Sequence, residues 1–310
     1  GPVRTGKSTF IKKFMDLLVI PNIENNYKKE RAKDELPQSA GGKTIMTTEP
    51  KFVPNEAVEI TLDNNLKFRT RLVDCVGYLV DNAIGYLEDD MPRMVKTPWS
   101  DEEIPFETAA EIGTKKVIEE HSTIGILVTT DGSITDIPRD DYIKAEERVV
   151  SELKALNKPF VILLNSYSPE SDYAKELAQN LSEKYQTTVI PINCEYLTID
   201  DINEIFSKIL YEFPASQIRI KFPKWIDGLD FSHPLKAELY KEIKDAFSDI
   251  RVLKDVSNCV NKISTTQIIS QTKISNIQLG SGNVNIDITL KEELFYQVLS
   301  EITEVPVSNE

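Results

Sequence analysis

The nine residues GPVRTGKST, Gly1 to Thr9, constrain this chain more than any other stretch of it. They match the phosphate-loop pattern G-x-x-x-x-G-K-[ST]. In such a loop consecutive backbone N–H groups point inward at a phosphate chain, with the N-terminus of a helix behind them. Gly1 and Gly6 supply the backbone freedom, and Val3, Arg4, Thr5 and Thr9 complete the cradle. Lys7 would reach the β- and γ-phosphates, and Ser8 would set its hydroxyl on Mg²⁺. Arg4 is either a built-in neutraliser of γ-phosphate charge or a solvent-facing side chain. The loop demands a helix after it. Phe10, Ile11, Phe14, Leu17 and Leu18 recur at helical spacing, so a helix is expected over 8–20, ended by Pro21. A loop of this kind also follows a buried strand, so the start at Gly1 reads as a trimmed or unrecorded N-terminus.

Two further motifs follow in the order a nucleotide-hydrolysing site requires. LVDCVGY closes an expected strand with Asp74 and Gly77 in D-x-x-G spacing. An aspartate at that strand tip can hold Mg²⁺, usually through water, and the glycine N–H can sense a γ-phosphate. Between the loop and this motif lies GGKTIMTTEP (41–50), where GTPase-like proteins place a threonine that meets Mg²⁺ and the attacking water. Thr44, Thr47 and Thr48 are candidates. Thr47 and Thr48 are favoured because they precede EPKFVP, the entry to the next strand, and Thr48 joins Ser8 and Asp74 as a metal ligand. The plain alternatives are a turn aspartate and threonines of a polar loop.

Two absences choose the base and the tempo. Guanine is ordinarily read by N-K-x-D after the next-to-last strand, but here that strand ends in LLNSYS. Asn165 keeps its place, Ser166 stands where lysine belongs, and Ser168 where the aspartate belongs. A hydroxyl cannot replace a bidentate carboxylate, a contact that discriminates by roughly 10⁴ or more, so ATP is expected rather than GTP. The water-orienting glutamine after D-x-x-G is also absent, with Tyr78 in its place. Hydrolysis then relies on Thr47, Thr48 or a neighbouring subunit, which fits slow turnover coupled to assembly.

Strand and helix patterns alternate through the first two-thirds. The segments 58–62 and 66–74 read as a hairpin about DNN, and IGILVTT, PFVILLN and TVIPIN as buried strands. Helices are expected at 142–156, 170–185 and 200–211. This predicts an α/β fold: a GTPase-like (TRAFAC class) P-loop NTPase domain over 1–212, mainly parallel with one antiparallel hairpin. A smaller α+β domain over 213–310 follows. It carries a helix near 234–247, a hairpin over 274–290 turning at Gly280–Asn283, and a helix over 291–302. The acidic segment 87–107 is longer than an ordinary loop and reads as a moving lid, a subunit contact or a solvated insertion.

A net charge of −14 removes general nucleic-acid binding and direct adsorption to anionic lipid. Cys75, Cys194 and Cys259 are far apart and form no C-x-x-C pair, so reduced thiols are expected. With His121 and His233 the only histidines, a histidine-rich metal site is excluded. No apolar run approaches the length of a membrane span.

The strings GPVRTGKSTFIKKFM, GGKTIMTTEPKFVP, LVDCVGYLV and ILVTTDGSITDIPRDDY are long and unusual. With them the chain resembles the stage IV sporulation protein A family, the coat-morphogenetic ATPases of endospore-forming bacteria, and the similarity runs through the second domain. The resemblance implies that ATP hydrolysis drives a conformational change and essentially irreversible self-assembly. The polymer forms the basement layer of the spore coat, in the mother cell cytoplasm at the outer forespore surface. It also implies a small amphipathic, membrane-bound sporulation peptide and other coat morphogenetic proteins as partners, so that contact with the membrane is indirect. By motif, Lys7 and Ser8 match the family's phosphate and Mg²⁺ residues, Thr47 and Thr48 its threonine sensor of hydrolysis, and Asp74 its Mg²⁺ aspartate. Members begin earlier than Gly1 and continue past Glu310 into a C-terminal domain, to which the resemblance assigns anchoring. The competing readings are an Era-like regulatory GTPase acting in ribosome assembly and a nucleotide-dead scaffold. The first calls for a basic RNA-binding face, and no Lys/Arg cluster stands out in 213–310; intact Lys7, Ser8 and Asp74 argue against the second.

Overall fold

The strand Phe160–Asn165 is buried at every one of its positions. A run of that kind belongs at the centre of a sheet covered on both faces. In the computed structural model, which describes residues 1–37, 50–62, 66–81, 83, 87–88, 91–264, 266–278 and 281–307, this strand (β8) is the middle of a three-stranded parallel sheet. β7 (Gly125–Thr130) lies on one side and β9 (Val189–Ile192) on the other. The crossovers are helices. α4 (Arg139–Ala155) connects β7 to β8, and α5 (Asp172–Tyr185) connects β8 to β9. α5 starts where the Ser171 hydroxyl accepts the Ala174 N–H at 3.2 Å and stops at Gln186 in the left-handed region (φ 50°). Val149, Val150 and Leu153 of α4 and Leu181 and Tyr185 of α5 pack with Ile162 and Leu164 in one core. Burying each such aliphatic chain contributes about 1.5–3 kcal/mol.

α1 (Lys7–Phe14) follows directly on Gly6 and is shorter than the 8–20 expected from spacing. Its last turns widen into a π segment, Met15–Val19, and close in a 3₁₀ turn, Ile20–Asn22. The widened turns keep Met15, Leu18 and Val19 buried. Phe14 stacks on Phe206 of α6 (Ile199–Tyr211), centroids 5.2 Å apart. α2 (Asn26–Asp34) follows and is capped by the Asn25 side chain, which accepts the Lys28 N–H at 3.1 Å.

The early hairpin is longer than its sequence signal. β1 (Lys51–Leu62) pairs antiparallel with β2 (Leu66–Asp74), and the register shifts between Val53 and Val58. That bulge takes up residues 54–57, so pairing continues back to Lys51. Hairpins also recur inside the acidic segment. β3 (Leu87–Glu88) pairs with β4 (Met91–Pro92), and β5 (Met94–Thr97) with β6 (Ser100–Pro105). The segment is therefore partly ordered strand, with Val95 and Thr97 buried where a solvated insertion would leave them exposed. It leads into α3 (Phe106–Lys116), extended by a π turn, Val117–His121.

The chain divides into two compact units, Gly1–Ile209 and Leu210–Glu310. In the second, β10 (Gln217–Lys221) runs parallel to β12 (Asn283–Leu290), which pairs on its other edge antiparallel with β11 (Ile269–Gln278). Short α7 (Lys224–Asp227), α8 (Pro234–Phe247) and α9 (Leu253–Ile263) intervene, and α10 (Glu292–Thr303) follows β12. Leu239, Ile243, Val256, Val260 and Ile263 pack with Val284, Ile286 and Ile288 in a core of the second unit's own.

Candidate nucleotide site

The loop begins between the β1–β2 hairpin and the parallel sheet of the first unit. The Val3 N–H donates to Tyr78 O at 2.9 Å on the hairpin side. On the other side Gly1 lies so near β7 that a Cβ there would sit 2.4 Å from Val128 O. Arg4 (φ 64°) and Gly6 (φ 94°) both take left-handed backbone, and Gly6 hands the chain straight into α1. A Cβ at Gly6 would meet Asn165 Nδ2 at 2.3 Å, so the position admits glycine alone. The first turn of α1 carries Lys7, Ser8 and Thr9, whose N–H groups have no intrahelical partner by the geometry of a helix start. Those N–H groups and the helix dipole favour an anion there.

Side chains brace this turn from within. Thr5, fully buried, donates its hydroxyl to Pro2 O at 3.1 Å. Lys7 Nζ donates to the same carbonyl at 2.5 Å, which lays the ammonium across the loop. Burial holds the Lys7 pKa below that of a free lysine, with Cys75 and Asp74 pulling it back up. An oxyanion beside Nζ would favour its charged form.

Asp74, at the tip of β2, accepts the Ser8 hydroxyl on Oδ2 at 2.9 Å across a separation of 66 residues. Its carboxylate is buried (2% exposed), and Oδ1 has no hydrogen-bond partner. Burial raises its pKa, against the lowering effects of Lys7 and the Ser8 hydroxyl. A buried, unpaired carboxylate oxygen beside a serine hydroxyl at a phosphate-loop helix suits a hard divalent cation, which takes oxygen ligands. Ser8 and Asp74 therefore fit Mg²⁺. Among the described residues no cluster of three or more His, Cys, Asp or Glu suggests another metal centre. Thr44, Thr47 and Thr48 lie outside the described residues.

The remaining sequence-chosen residues fall in two places. Gly77 (φ 91°) lies against the start of the loop, where a Cβ would be 2.2 Å from Gly1 O and 2.8 Å from Lys7 Nζ. Asn165, at the tip of β8, sits beneath the loop. Its Nδ2 donates to Thr5 O at 3.0 Å, and its Oδ1 accepts the Cys194 N–H at 3.0 Å. Both ends of the amide are thus engaged with protein, and Asn165 ties the loop to β8 and to the turn after β9. Tyr78, in the glutamine position, is buried at 2% exposure and donates its hydroxyl to Glu152 at 2.5 Å, beneath the Arg148 guanidinium. Its hydroxyl is thus committed to Glu152.

Sequence reading overlooked one residue at this site. Thr114 of α3, 1% exposed, accepts the Gly77 N–H on Oγ1 at 3.1 Å. No motif marks it, since α3 begins inside a segment whose acidic composition masks a helix.

The chain is similar to known proteins over nearly its whole length. The family model described as Stage IV sporulation protein A, ATPase domain, matches residues 1–214, and that for the middle domain of the same protein matches 215–310. A protein named stage IV sporulation protein A from Clostridioides difficile (strain 630) is 50% identical over 301 residues, 97% of this chain and 61% of that protein. The proteins of that name from Bacillus anthracis and Bacillus subtilis (strain 168) are 49% and 48% identical over 307 residues, 99% of this chain and 62% of theirs. The chain thus spans about three-fifths of the length of these relatives. No solved structure matches it.

Proposed function

Because the chain belongs to the stage IV sporulation protein A family, we propose that its first unit is a GTPase-like (TRAFAC class) P-loop domain that binds and hydrolyses ATP. We further propose that hydrolysis drives self-assembly into the basement layer of the spore coat at the forespore surface, in the mother cell cytoplasm. The observation that carries the nucleotide reading is the Ser8–Asp74 hydrogen bond, with Asp74 Oδ1 buried and unpaired beside it. Mg²⁺ held by Ser8, Asp74 and Thr48 would neutralise charge on the β- and γ-phosphates. The backbone of Gly1, Val3, Arg4, Thr5 and Gly6, with Thr9 in the first turn of α1, cradles the phosphates. Lys7 supplies a fixed positive charge where negative charge is transferred. Thr47 and Thr48 orient the attacking water. Asn165 holds the loop's shape, and adenine is favoured over guanine because Ser168 offers no carboxylate to the base.

The partners proposed are other copies of the chain, a small amphipathic membrane-bound sporulation peptide and other coat morphogenetic proteins, without nucleic acid. No helix among the described residues is long and apolar enough to cross a membrane, and a bound peptide would make the membrane contact indirect. The test is phosphate release and ATP-dependent sedimentation of the full chain, with GTP as competitor. The parent should release phosphate slowly and sediment with ATP. Thr47→Ala combined with Thr48→Ala should still bind ATP but neither split it nor sediment. Hydrolysis at the parental rate in that variant overturns the threonine assignment, and preference for GTP overturns the nucleotide assignment.

A further inference from the structure

The backbone N–H of Gly77 is the group that D-x-x-G spacing assigns to sensing a γ-phosphate, and here it donates to the Thr114 hydroxyl at 3.1 Å. An N–H is one donor, and the bond is buried, with Thr114 1% exposed. Gly77 has no room to move closer to the loop, because a Cβ on it would already lie 2.2 Å from Gly1 O, 2.8 Å from Lys7 Nζ and 3.1 Å from Pro2 C. What can change is the partner of its amide. We propose that Thr114 is a positioning residue that competes with the nucleotide's γ-phosphate for the Gly77 N–H. Its hydroxyl satisfies the amide when no γ-phosphate is present and yields it when one arrives, which sets the preference for ATP over ADP. The proposal rests on the ATP reading above.

The surroundings of Thr114 give the exchange a route outward. On the preceding residue, Gly113, a Cβ would lie 3.3 Å from the Trp99 ring and 3.5 Å from Pro50 Cδ. Trp99 sits at the turn between β5 and β6, and Pro50 follows Thr47 and Thr48 by two or three positions in sequence. The turn of α3 that holds Gly77 is therefore also the turn packed against the hairpin and against the end of the threonine segment. Its interior is close-packed, so a changed partner at Thr114 is passed to those neighbours rather than absorbed.

Leaving a buried N–H unpaired is costly, and that cost falls only on the states without a γ-phosphate. Removing the hydroxyl therefore tips binding toward the triphosphate. The test measures affinities of the full chain, with Mg²⁺, for ADP and for a non-hydrolysable ATP analogue bridged by a β,γ-imido group. Thr114→Val and Thr114→Ala should raise the ratio of analogue affinity to ADP affinity roughly tenfold over the parent, about 1.4 kcal/mol. Thr114→Ser should stay within about twofold of the parent, because the acceptor survives. A purely structural role would lower both affinities together and leave the ratio alone. An unchanged or reduced ratio in the Val and Ala variants overturns the competition while the ATP reading stands. Failure of the parent to bind either nucleotide, or binding that survives Lys7→Ala, overturns the site reading and the competition with it.

Discussion

β8 of the first unit is buried at all six positions, whereas β12 of the second alternates, with Val284, Ile286, Ile288 and Leu290 buried and the residues between them less so. The difference governs where chemistry can sit. A strand covered on both faces has only its ends free, and in a parallel sheet the C-terminal ends come together. Asn165 at the tip of β8 and Thr130 at the tip of β7 are register partners, and Asn165 reaches the loop from there. A sheet covered on one face instead offers a flank. In the second unit Arg219 and Lys221 of β10 and Lys273 of β11 lie exposed on that flank, beside Asp287 of β12. One unit gathers its candidate site residues at the tips of buried strands, and the other presents a polar flank.

The contrast is sharpest for buried charge. Glu146 of α4 is fully buried and accepts the Thr129 hydroxyl at 2.5 Å, the Tyr185 hydroxyl at 2.7 Å and the Arg139 guanidinium at 2.9 Å. Burial, together with Glu146, drives the Tyr185 phenol pKa up, so it stays a donor. Glu212 of the second unit pairs with Lys254 through both oxygens, at 2.7 and 2.8 Å, but Lys254 is 36% exposed and can turn to water. Glu146→Gln should cost about 3–5 kcal/mol, because it strands a mostly buried Arg139. Glu212→Gln should cost about 1–3 kcal/mol, because Glu212 is buried but the Lys254 it would strand can turn to water. Denaturant midpoints read with unchanged slopes would measure both. Equal losses would break the contrast.

Asn165→Ala comes next. It removes the donor to Thr5 O and leaves the Cys194 N–H, which is buried, without its acceptor. The expected loss is about 1–3 kcal/mol in stability. Nucleotide affinity should fall too, because the loop loses its tie to β8. If only base preference changed, Asn165 would be a base contact rather than a clasp.

Much of the first unit could be read from its residues because its signals were strong and local. The uninterrupted FVILLN and the helical spacings after it correspond to β8, α5 and α6 to within a residue or two. Ser8 and Asp74 could be paired in advance because each stands at a motif-defined end of its element. Other features had no local signal. α9 packs Leu253, Val256 and Val260 but follows a short, unpatterned connection, and β1 hides behind Pro54 and a bulge. The hydrogen bonds of Asn165 were hidden for a different reason. The spacing gives its position but not which of its neighbours claims the amide, and packing decides that. Thr114 is the extreme case, since a threonine inside a helix carries no mark of the glycine 37 residues away that donates to it.

The smallest effect should come from the flank of the second sheet. Asp287 stands in register with Lys221 on one side and Lys273 on the other. Cross-strand opposite charges of this kind contribute roughly 0.2–1 kcal/mol, and less when salt screens them. Asp287→Asn should therefore lower stability by less than about 1 kcal/mol, and the loss should shrink further between low and high salt. Thermal midpoints at two ionic strengths would show it. A loss as large as that from Glu146→Gln, or one indifferent to salt, would mean that Asp287 is tightly held rather than solvated. The second sheet would then have a working face of its own, and the contrast with the first unit would lie in what each face binds rather than in whether it is built to bind.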